Sequence, residues 1–183
     1  MTEPQQITVL LQLAEELRKR GSWCGETHIQ KASYFLQEML AVPTNYDFIL
    51  YKHGPFSFDL RDALALLRAD GLLEIELRPY PYSPSLVVTE GAKRFRQRHP
   101  ETLGRYAGQI SLVADKLESK GVAELERLAT ALYVSLETGA GSSEQDRAQR
   151  LVELKPHVSL QQAQEAVETV KRFQEEAARQ WNP

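Results

Sequence analysis

Residues 46–89 read YDFILYKHGPFSFDLRDALALLRADGLLEIELRPYPYSPSLVVT and carry the pattern that decides the fold. The run over residues 46–51 mixes aromatic and β-branched side chains over the length of a strand. A turn motif follows, formed by His53, Gly54, Pro55 and Phe56. A glycine next to a proline is a strong local signal for a chain reversal, so we predict a strand followed by a turn.

An amphipathic helix is predicted after the turn motif. Ser57 stands at the N-cap position and Gly71 at the C-cap position, and the leucines between them recur on one face. Residues 74–77 and 86–88 have the composition of two strands joined as a β-hairpin. Strand, turn, helix and hairpin in this order are typical of a winged helix, a fold that usually presents the helix before the hairpin to a partner.

Helical periodicity continues on both sides of this stretch. Thr27 is the predicted N-cap of a helix before it, and Ser159 with Gln162 has the spacing of a capping box after it. The sequence therefore predicts a mainly α fold with a small β-hairpin. A winged-helix-like N-terminal module covers residues 1–100, and an α-helical C-terminal extension over residues 101–183 is predicted to pack on it as one unit.

The charge balance gives the chain no basic domain. The net charge is −3, and the first 100 residues hold twelve lysines and arginines against twelve acidic residues. The remaining residues hold ten against thirteen. Non-specific affinity for nucleic acid comes largely from neutralising phosphates, so a domain without a basic excess begins with little of it. This balance argues against DNA as the default partner.

Composition also predicts where the protein resides. Apolar residues make up 42% of the chain. Even so, no apolar run approaches the roughly 20 residues that span a bilayer, and the N-terminus lacks a basic leader before its apolar part. Cys24 is the only cysteine, so no intramolecular disulfide is available. We predict a cytoplasmic protein that does not interact with a membrane.

Residues suited to catalysis or metal binding are few and scattered. Cys24 and His28, with Glu26 between them, form at most a partial ligand set, and no second cluster with the spacing of a zinc site follows. The chain has no G-x-S-x-G elbow and no phosphate-binding loop. We therefore expect no enzyme activity, no catalytic residue, no metal and no cofactor. A cryptic enzyme or metal protein centred on Cys24, His28 and His53 is kept as the third hypothesis.

The helix predicted after Ser57 presents more acids than bases. With its leucines turned inward, its outer face consists of Asp59, Arg61, Asp62, Arg68 and Asp70. The tip of the hairpin adds Tyr80 and Tyr82 between prolines, and rigid aromatic side chains are frequent anchors of protein interfaces. We predict a partner-binding surface that comprises Asp59, Arg61, Asp62, Arg68, Tyr80 and Tyr82.

One basic cluster supports the alternative of DNA binding. It consists of Lys93, Arg94, Arg96 and Arg98, on a short helix predicted after the hairpin. These four cations are candidates for contacts with a phosphate backbone beside the hairpin. Their other interpretation is an ordinary solvated helix face.

Two motifs in the first hundred residues resemble a known family. Residues 21–37 read GSWCGETHIQKASYFLQ and residues 51–60 read YKHGPFSFDL, ahead of the DGLL that opens the hairpin. In this order they resemble the Panacea (SocA-type) antitoxin domain, in which a Q-K-x-x-Y-x-L-Q helix precedes a Y-x-x-G-P-x-S segment. They look closer still to uncharacterised bacterial and prophage winged-helix proteins similar to that domain. The resemblance implies interaction with a protein: neutralising a toxin, or presenting one to a protease.

Our leading hypothesis is a non-enzymatic winged-helix module that binds another protein. It would act as an antitoxin-like or phage-associated factor, with a partner of toxin or protease-adaptor type. The C-terminal helices are candidates for a homodimer contact. The alternative is a DNA-binding transcriptional regulator that uses the helix, the hairpin and the basic cluster.

Overall fold

The computed structural model describes residues 1–77, 79, 83–139 and 141–181. Within these ranges the chain forms eight α-helices and two antiparallel sheets of two strands each. The helices are α1 (Glu3–Lys19), α2 (Glu26–Glu38), α3 (Phe58–Ala69), α4 (Glu90–Gln97), α5 (Pro100–Leu117), α6 (Val122–Thr138), α7 (Glu144–Leu154) and α8 (Leu160–Trp181). The strands are β1 (Ile49–Tyr51), β2 (Gly54–Phe56), β3 (Leu73–Glu76) and β4 (Ser85–Val88). The predicted mainly α fold with a small β-hairpin is confirmed, and a second hairpin is present that the sequence did not predict.

The chain divides into two compact units. The first comprises residues 1–48 and 57–120, and the second comprises residues 49–56 and 121–183. The predicted module ended at residue 100, whereas α5 belongs to the first unit because it packs along α1 and α2. The β1–β2 hairpin belongs to the second unit, where it packs against α6.

Helix α2 is buried on all sides within the first unit. Its residues from 28 to 36 are all buried, and the helix packs against α1, α3 and α5. The sequence predicted a one-sided apolar stripe, and the difference arises because neighbouring helices also cover the polar side. Gln30, Lys31 and Ser33 are therefore buried polar residues. Side chains of this kind need hydrogen-bond partners inside the protein.

The N-cap of α3 forms at Ser57 as predicted, whereas the C-cap is Asp70, one residue before the predicted Gly71. The Ser57 hydroxyl accepts a hydrogen bond from the Leu60 backbone N–H over 3.2 Å, and Gly71 follows the helix with a φ of +67°. Left-handed backbone is favourable for glycine alone among common residues, which explains why the helix ends here. Leu60, Leu64 and Leu67 are buried. The helix thus packs its leucine face inward and turns its other side to solvent.

The predicted start of α2 differs from the structure, whereas the predicted start of α8 agrees with it. α2 begins after Gly25 rather than at Thr27, which places Glu26 in the first turn, where the helix dipole favours an acid. At the start of α8 the predicted capping box is confirmed. The Ser159 N–H donates to the Gln162 side chain over 3.1 Å, and the Gln162 N–H donates to the Ser159 hydroxyl over 3.2 Å.

The turn motif is part of a hairpin. β1 begins at Ile49, later than predicted, and β2 runs from Gly54 to Phe56, so the chain reverses at Lys52 and His53. Gly54 has a φ of +85°, which a residue with a side chain adopts only at a cost. Proline is tolerated in β2 because each strand of a two-stranded sheet is an edge strand. The predicted turn therefore shortens to two residues, and its Gly-Pro pair belongs to a strand.

The second unit contains α6, α7 and α8 of the predicted C-terminal extension, and α5 lies in the first unit. Within it α6, α7 and α8 pack against one another. α6 buries Leu125, Leu128, Ala129 and Leu132 of its predicted apolar stripe, but Leu136 is 46% exposed. α8 buries Ala163, Val167 and Val170 of its stripe, whereas Leu160 is 39% exposed and Phe173 is half-buried. Over the part of the chain that the structure describes, no helix combines the length and apolar content needed to cross a membrane.

Candidate functional site

The exposed side of α3 is the candidate site, because it carries all the helix residues predicted to bind a partner. They are Asp59, Arg61, Asp62 and Arg68, and each of them is exposed. The buried leucine face of the helix holds it against the rest of the first unit. The four predicted residues therefore lie on the solvent side of one firmly packed helix.

The Gln30 side chain fixes the start of α3. Its amide nitrogen donates to the Ser57 carbonyl over 2.9 Å, and its amide oxygen accepts the Ser57 N–H over 3.0 Å. Gln30 is 1% exposed and Ser57 is 0% exposed, so water does not replace these bonds. Because Ser57 also caps α3, the Gln30 amide determines where the candidate surface begins.

Gln37 makes a matching set of contacts two helical turns later. Its amide oxygen accepts the Tyr46 N–H and its amide nitrogen donates to the Tyr46 carbonyl, each over 2.9 Å. The same oxygen accepts the Thr44 hydroxyl over 2.8 Å. Residues seven apart lie on the same side of a helix. The two glutamines of the Q-K-x-x-Y-x-L-Q motif therefore bind the backbone of the segment between α2 and α3 at two points.

Arg61 is largely neutralised within the candidate surface. Its Nε and Nη2 atoms lie 3.0 and 2.9 Å from Oδ1 of Asp62, and its guanidinium stands 5.0 Å from the centre of the Phe58 ring. The exposed charges that remain on α3, at its end and on β3 are Asp59, Arg68, Asp70 and Glu74. Three of these four are acids, so the surface offers negative charge to a partner.

Exposed apolar side chains are concentrated in the same segment, which the sequence did not predict. Nine large apolar side chains are exposed among the described residues, and four of them lie between residues 58 and 77. They are Phe58 (38% exposed), Leu66 (63%), Ile75 (42%) and Leu77 (81%). The helical spacing places Leu67 on the predicted inner face of α3, and Leu66, which is next to it, lies off that face.

The tip of the β3–β4 hairpin is the other part of the predicted surface. Tyr80 and Tyr82 lie outside the described residues. Near the start of β4, the Trp23 indole N–H donates to the Ser83 carbonyl over 2.9 Å. The loop before α2 therefore contacts the hairpin close to its tip.

Arg96 does not belong to an exposed basic cluster. It is 5% exposed, and its guanidinium pairs with the Glu15 carboxylate and the Gln12 amide oxygen of α1. α4 packs against α1, which places this arginine between the two helices. Its charge is therefore used inside the first unit and is not available to a phosphate backbone.

The other three predicted phosphate contacts remain on the outer side of α4. Lys93 forms an ion pair with Glu90 of the same helix. Arg94 and Arg98 are exposed, and the Arg98 guanidinium lies 5.1 Å from the centre of the Phe95 ring. The predicted cluster of four cations is thus reduced to two exposed arginines and a paired lysine.

Cys24 is buried inside the first unit. Its side chain is 0% exposed, and its thiol donates to the Ala14 carbonyl over 3.5 Å. Burial raises the pKa of the thiol to about 12, although Arg18 opposes the shift. The thiolate is the nucleophilic form of cysteine, and a thiol with this pKa is protonated at neutral pH. The cryptic-enzyme alternative therefore loses support at its central residue.

The two histidines of that alternative have unrelated surroundings. His28 is 5% exposed in the first unit, and burial lowers its pKa despite a hydrogen bond to the Lys120 backbone. His53 is exposed in the second unit, with its Nδ1 3.4 Å from the Glu126 carboxylate. Among the described residues, no group of three or more histidine, cysteine or acidic side chains is placed to hold a metal ion.

Lys155 fixes the β1–β2 hairpin within the second unit. Its ammonium donates to the carbonyls of Tyr51 over 3.2 Å and Lys52 over 2.7 Å. The residue is 8% exposed, and burial lowers its pKa while the charge of Glu126 opposes this shift. Since Gly54 is also buried, packing and hydrogen bonds together hold the turn motif in place.

We expect the stability contributed by His28 to depend on pH. Among the residues that the structure describes, its Nδ1 has no hydrogen-bond partner, so protonation would bury an N–H group without an acceptor. The folded-state pKa is lowered, so below about pH 6.5 the unfolded chain binds more protons than the folded chain, and stability falls with falling pH. Urea unfolding of the wild type and His28→Gln across this range measures the effect. Acidification should lower the free energy of unfolding of the wild type more than that of His28→Gln. A difference between the two that does not depend on pH would contradict the prediction.

Comparisons with known proteins do not assign a class to the chain. No protein-family model matches it, and no curated protein matches it in sequence. The resemblance of residues 21–37 and 51–60 to the Panacea (SocA-type) antitoxin domain therefore stays a prediction. The contacts of Gln30 and Gln37 give part of this motif a structural role that holds whatever the family.

Proposed function

We propose that this protein is a non-enzymatic interaction module that binds another protein through the exposed side of α3 and the β3–β4 hairpin. The observation that carries the proposal is Leu66, which is 63% exposed on α3, one turn before the exposed acid Asp70. Burying a leucine side chain fully is worth about 1.5–3 kcal/mol, and Leu66 contributes little of this to the fold of the free chain. A partner that covers α3 would gain that contribution.

The class of partner follows from the family resemblance. Residues 1–100 would act as a winged-helix module of an antitoxin-like or phage-associated factor, and the partner would be of toxin or protease-adaptor type. A cytoplasmic location is part of the proposal, and a single buried thiol suits a reducing compartment. A homodimer through the C-terminal helices is also part of it, supported by the exposed side chains of Leu136 and Leu160.

A DNA-binding transcriptional regulator is the second candidate. The exposed pair Arg94 and Arg98 on α4 favours it. Its weakness is α3, because duplex DNA carries one negative charge per roughly 1.7 Å of its axis and would meet the exposed acids of that helix. A protein partner need not carry negative charge, so the exposed acids of α3 do not oppose its binding. We therefore favour protein binding.

Site-specific photo-crosslinking in the native host tests the proposal. A photoreactive amino acid replaces Ala69, an exposed residue of α3, and in the matched control it replaces Ala107, an exposed residue of α5 in the same unit. We expect one protein to crosslink from position 69 and to be absent from the control. The crosslink should weaken several-fold when Leu66→Ser is added, because the apolar anchor is then lost.

Two outcomes would count against protein binding at α3. Identical crosslinked products from positions 69 and 107 would show that contact is not specific to α3. Crosslinking to DNA from position 69, with a yield that falls when Arg94 and Arg98 are replaced, would establish the alternative instead.

A further inference from the structure

We infer that the partner of α3 presents an apolar side chain flanked by lysine or arginine residues. This inference rests on the proposed function and adds the chemistry of the bound segment. It follows from the arrangement of charge and apolar surface between residues 58 and 77, and from which of these residues the fold itself requires.

Acidic side chains are in excess between residues 58 and 77. Residues 58–77 contain five acidic and two basic residues, a formal charge of −3, which equals the net charge of the entire chain. Within the segment, Glu76 forms an ion pair with Arg18 over 3.0 Å, and Asp62 pairs with Arg61 over 2.9 Å. The acids left for a partner are therefore Asp59, Asp70 and Glu74.

Folding does not explain two of these three acids. Asp59 lies in the first turn of α3, where the helix dipole favours a negative charge. Asp70 is the C-cap residue of the same helix, where the dipole disfavours a negative charge. Glu74 is exposed on β3 and sits opposite Val87 in the hairpin. A bound cation would stabilise Asp70 and Glu74 where the fold does not.

Exposed apolar side chains lie in the same segment as these acids. Leu66 lies one turn before Asp70 on α3. On β3, Leu73 and Ile75 point to one face and Glu74 between them points to the other. Leu73 is 2% exposed, Ile75 is 42% exposed, and Leu77, which follows the strand directly, is 81% exposed. Leu66 and Asp70, four residues apart, lie on the same side of α3. An exposed leucine beside an acid is complementary to a segment with an apolar anchor flanked by cations.

A pair of synthetic peptides provides the test. Both are amphipathic helices of equal length with the same leucine face, and their polar positions carry lysine in one and glutamate in the other. Binding to the full chain is measured by fluorescence anisotropy at low and high salt, and the contact is mapped by NMR shifts of backbone amides. We expect the lysine peptide to bind over residues 58–77 and the glutamate peptide to bind at least about tenfold more weakly.

A charge-matched pair of variants locates the effect. Asp70→Asn with Glu74→Gln removes the two acids that the fold does not need. The control, Glu38→Gln with Asp115→Asn, removes two exposed acids elsewhere in the first unit. The first pair should weaken lysine-peptide binding by about tenfold and flatten its salt dependence, whereas the control pair should leave both within about twofold.

The outcomes separate this inference from the proposed function. Equal binding of the two peptides, or equal effects of the two variant pairs, would overturn the inference about partner charge. Binding of duplex DNA to residues 58–77 in the absence of peptide, mapped by the same NMR shifts, would also overturn it, since a nucleic acid presents negative charge. The crosslink from Ala69 decides the protein-binding proposal separately, because it depends on neither peptide.

Discussion

Replacing Arg96 with alanine is expected to lower the free energy of unfolding of the first unit by about 3 kcal/mol or more. The guanidinium lies between α4 and α1, and the Arg96 and Glu15 side chains are 6% and 18% exposed. The substitution leaves the Glu15 carboxylate in a largely buried position without its cation. Urea unfolding followed by the fluorescence of Trp23, in a Trp181→Phe background, measures the loss.

Arg94→Ala is the matched control, because Arg94 lies two residues away and is exposed. Its effect should stay within about 0.5 kcal/mol. The double variant Arg96→Met with Glu15→Leu should recover much of the stability lost in Arg96→Ala, since removing both charges leaves neither unpaired. Equal effects of Arg94→Ala and Arg96→Ala would contradict the buried ion pair.

This contrast determines how DNA binding is to be tested. If a variant of Arg96 lost affinity for DNA, the loss would be explained by unfolding and would not show that Arg96 contacts a phosphate. Arg94 and Arg98 are the cations to replace, because both are exposed. If their double replacement leaves the affinity for a duplex and its salt dependence unchanged, the regulator hypothesis fails.

Local signals in the sequence were sufficient for the helices and for much of the candidate surface. Ser57 marks the start of α3 and the left-handed Gly71 follows its end. Both signals act within one turn of the chain, so they can be read from the sequence. The leucine spacing identified its buried face, and the exposed positions of Asp59 and Arg68 followed from the helical period.

Features set by distant parts of the chain could not be predicted in this way. Arg96 looks like its neighbours in a basic run until α1 places Glu15 beside it. Gln30 lies in a helix predicted to have a polar side, and its burial depends on the neighbouring helices that cover α2. In each case the deciding contact joins residues from different elements, which local propensity does not encode.

Gln30→Ala is expected to destabilise the first unit by about 3–4 kcal/mol, because it leaves two buried backbone groups of Ser57 without partners. Each group is worth about 1–3 kcal/mol when a buried hydrogen bond is broken on one side only. The alanine preserves the helix, since alanine has the highest helix propensity, so the loss comes from the missing amide. Urea unfolding gives the magnitude, and hydrogen exchange at the Leu60 amide shows whether the N-cap of α3 is released with it.

Gln97→Ala serves as the control, because Gln97 is exposed at the end of α4, and its replacement should change stability by less than about 0.5 kcal/mol. The Gln30 variant should also bind the lysine peptide more weakly under conditions where most molecules remain folded. The reason is that α3 would no longer be held at Ser57, although Leu66, Asp70 and Glu74 are unchanged. Lost stability with unaltered peptide binding would mean that the surface does not depend on this attachment, and α2 would then support the fold without positioning the site.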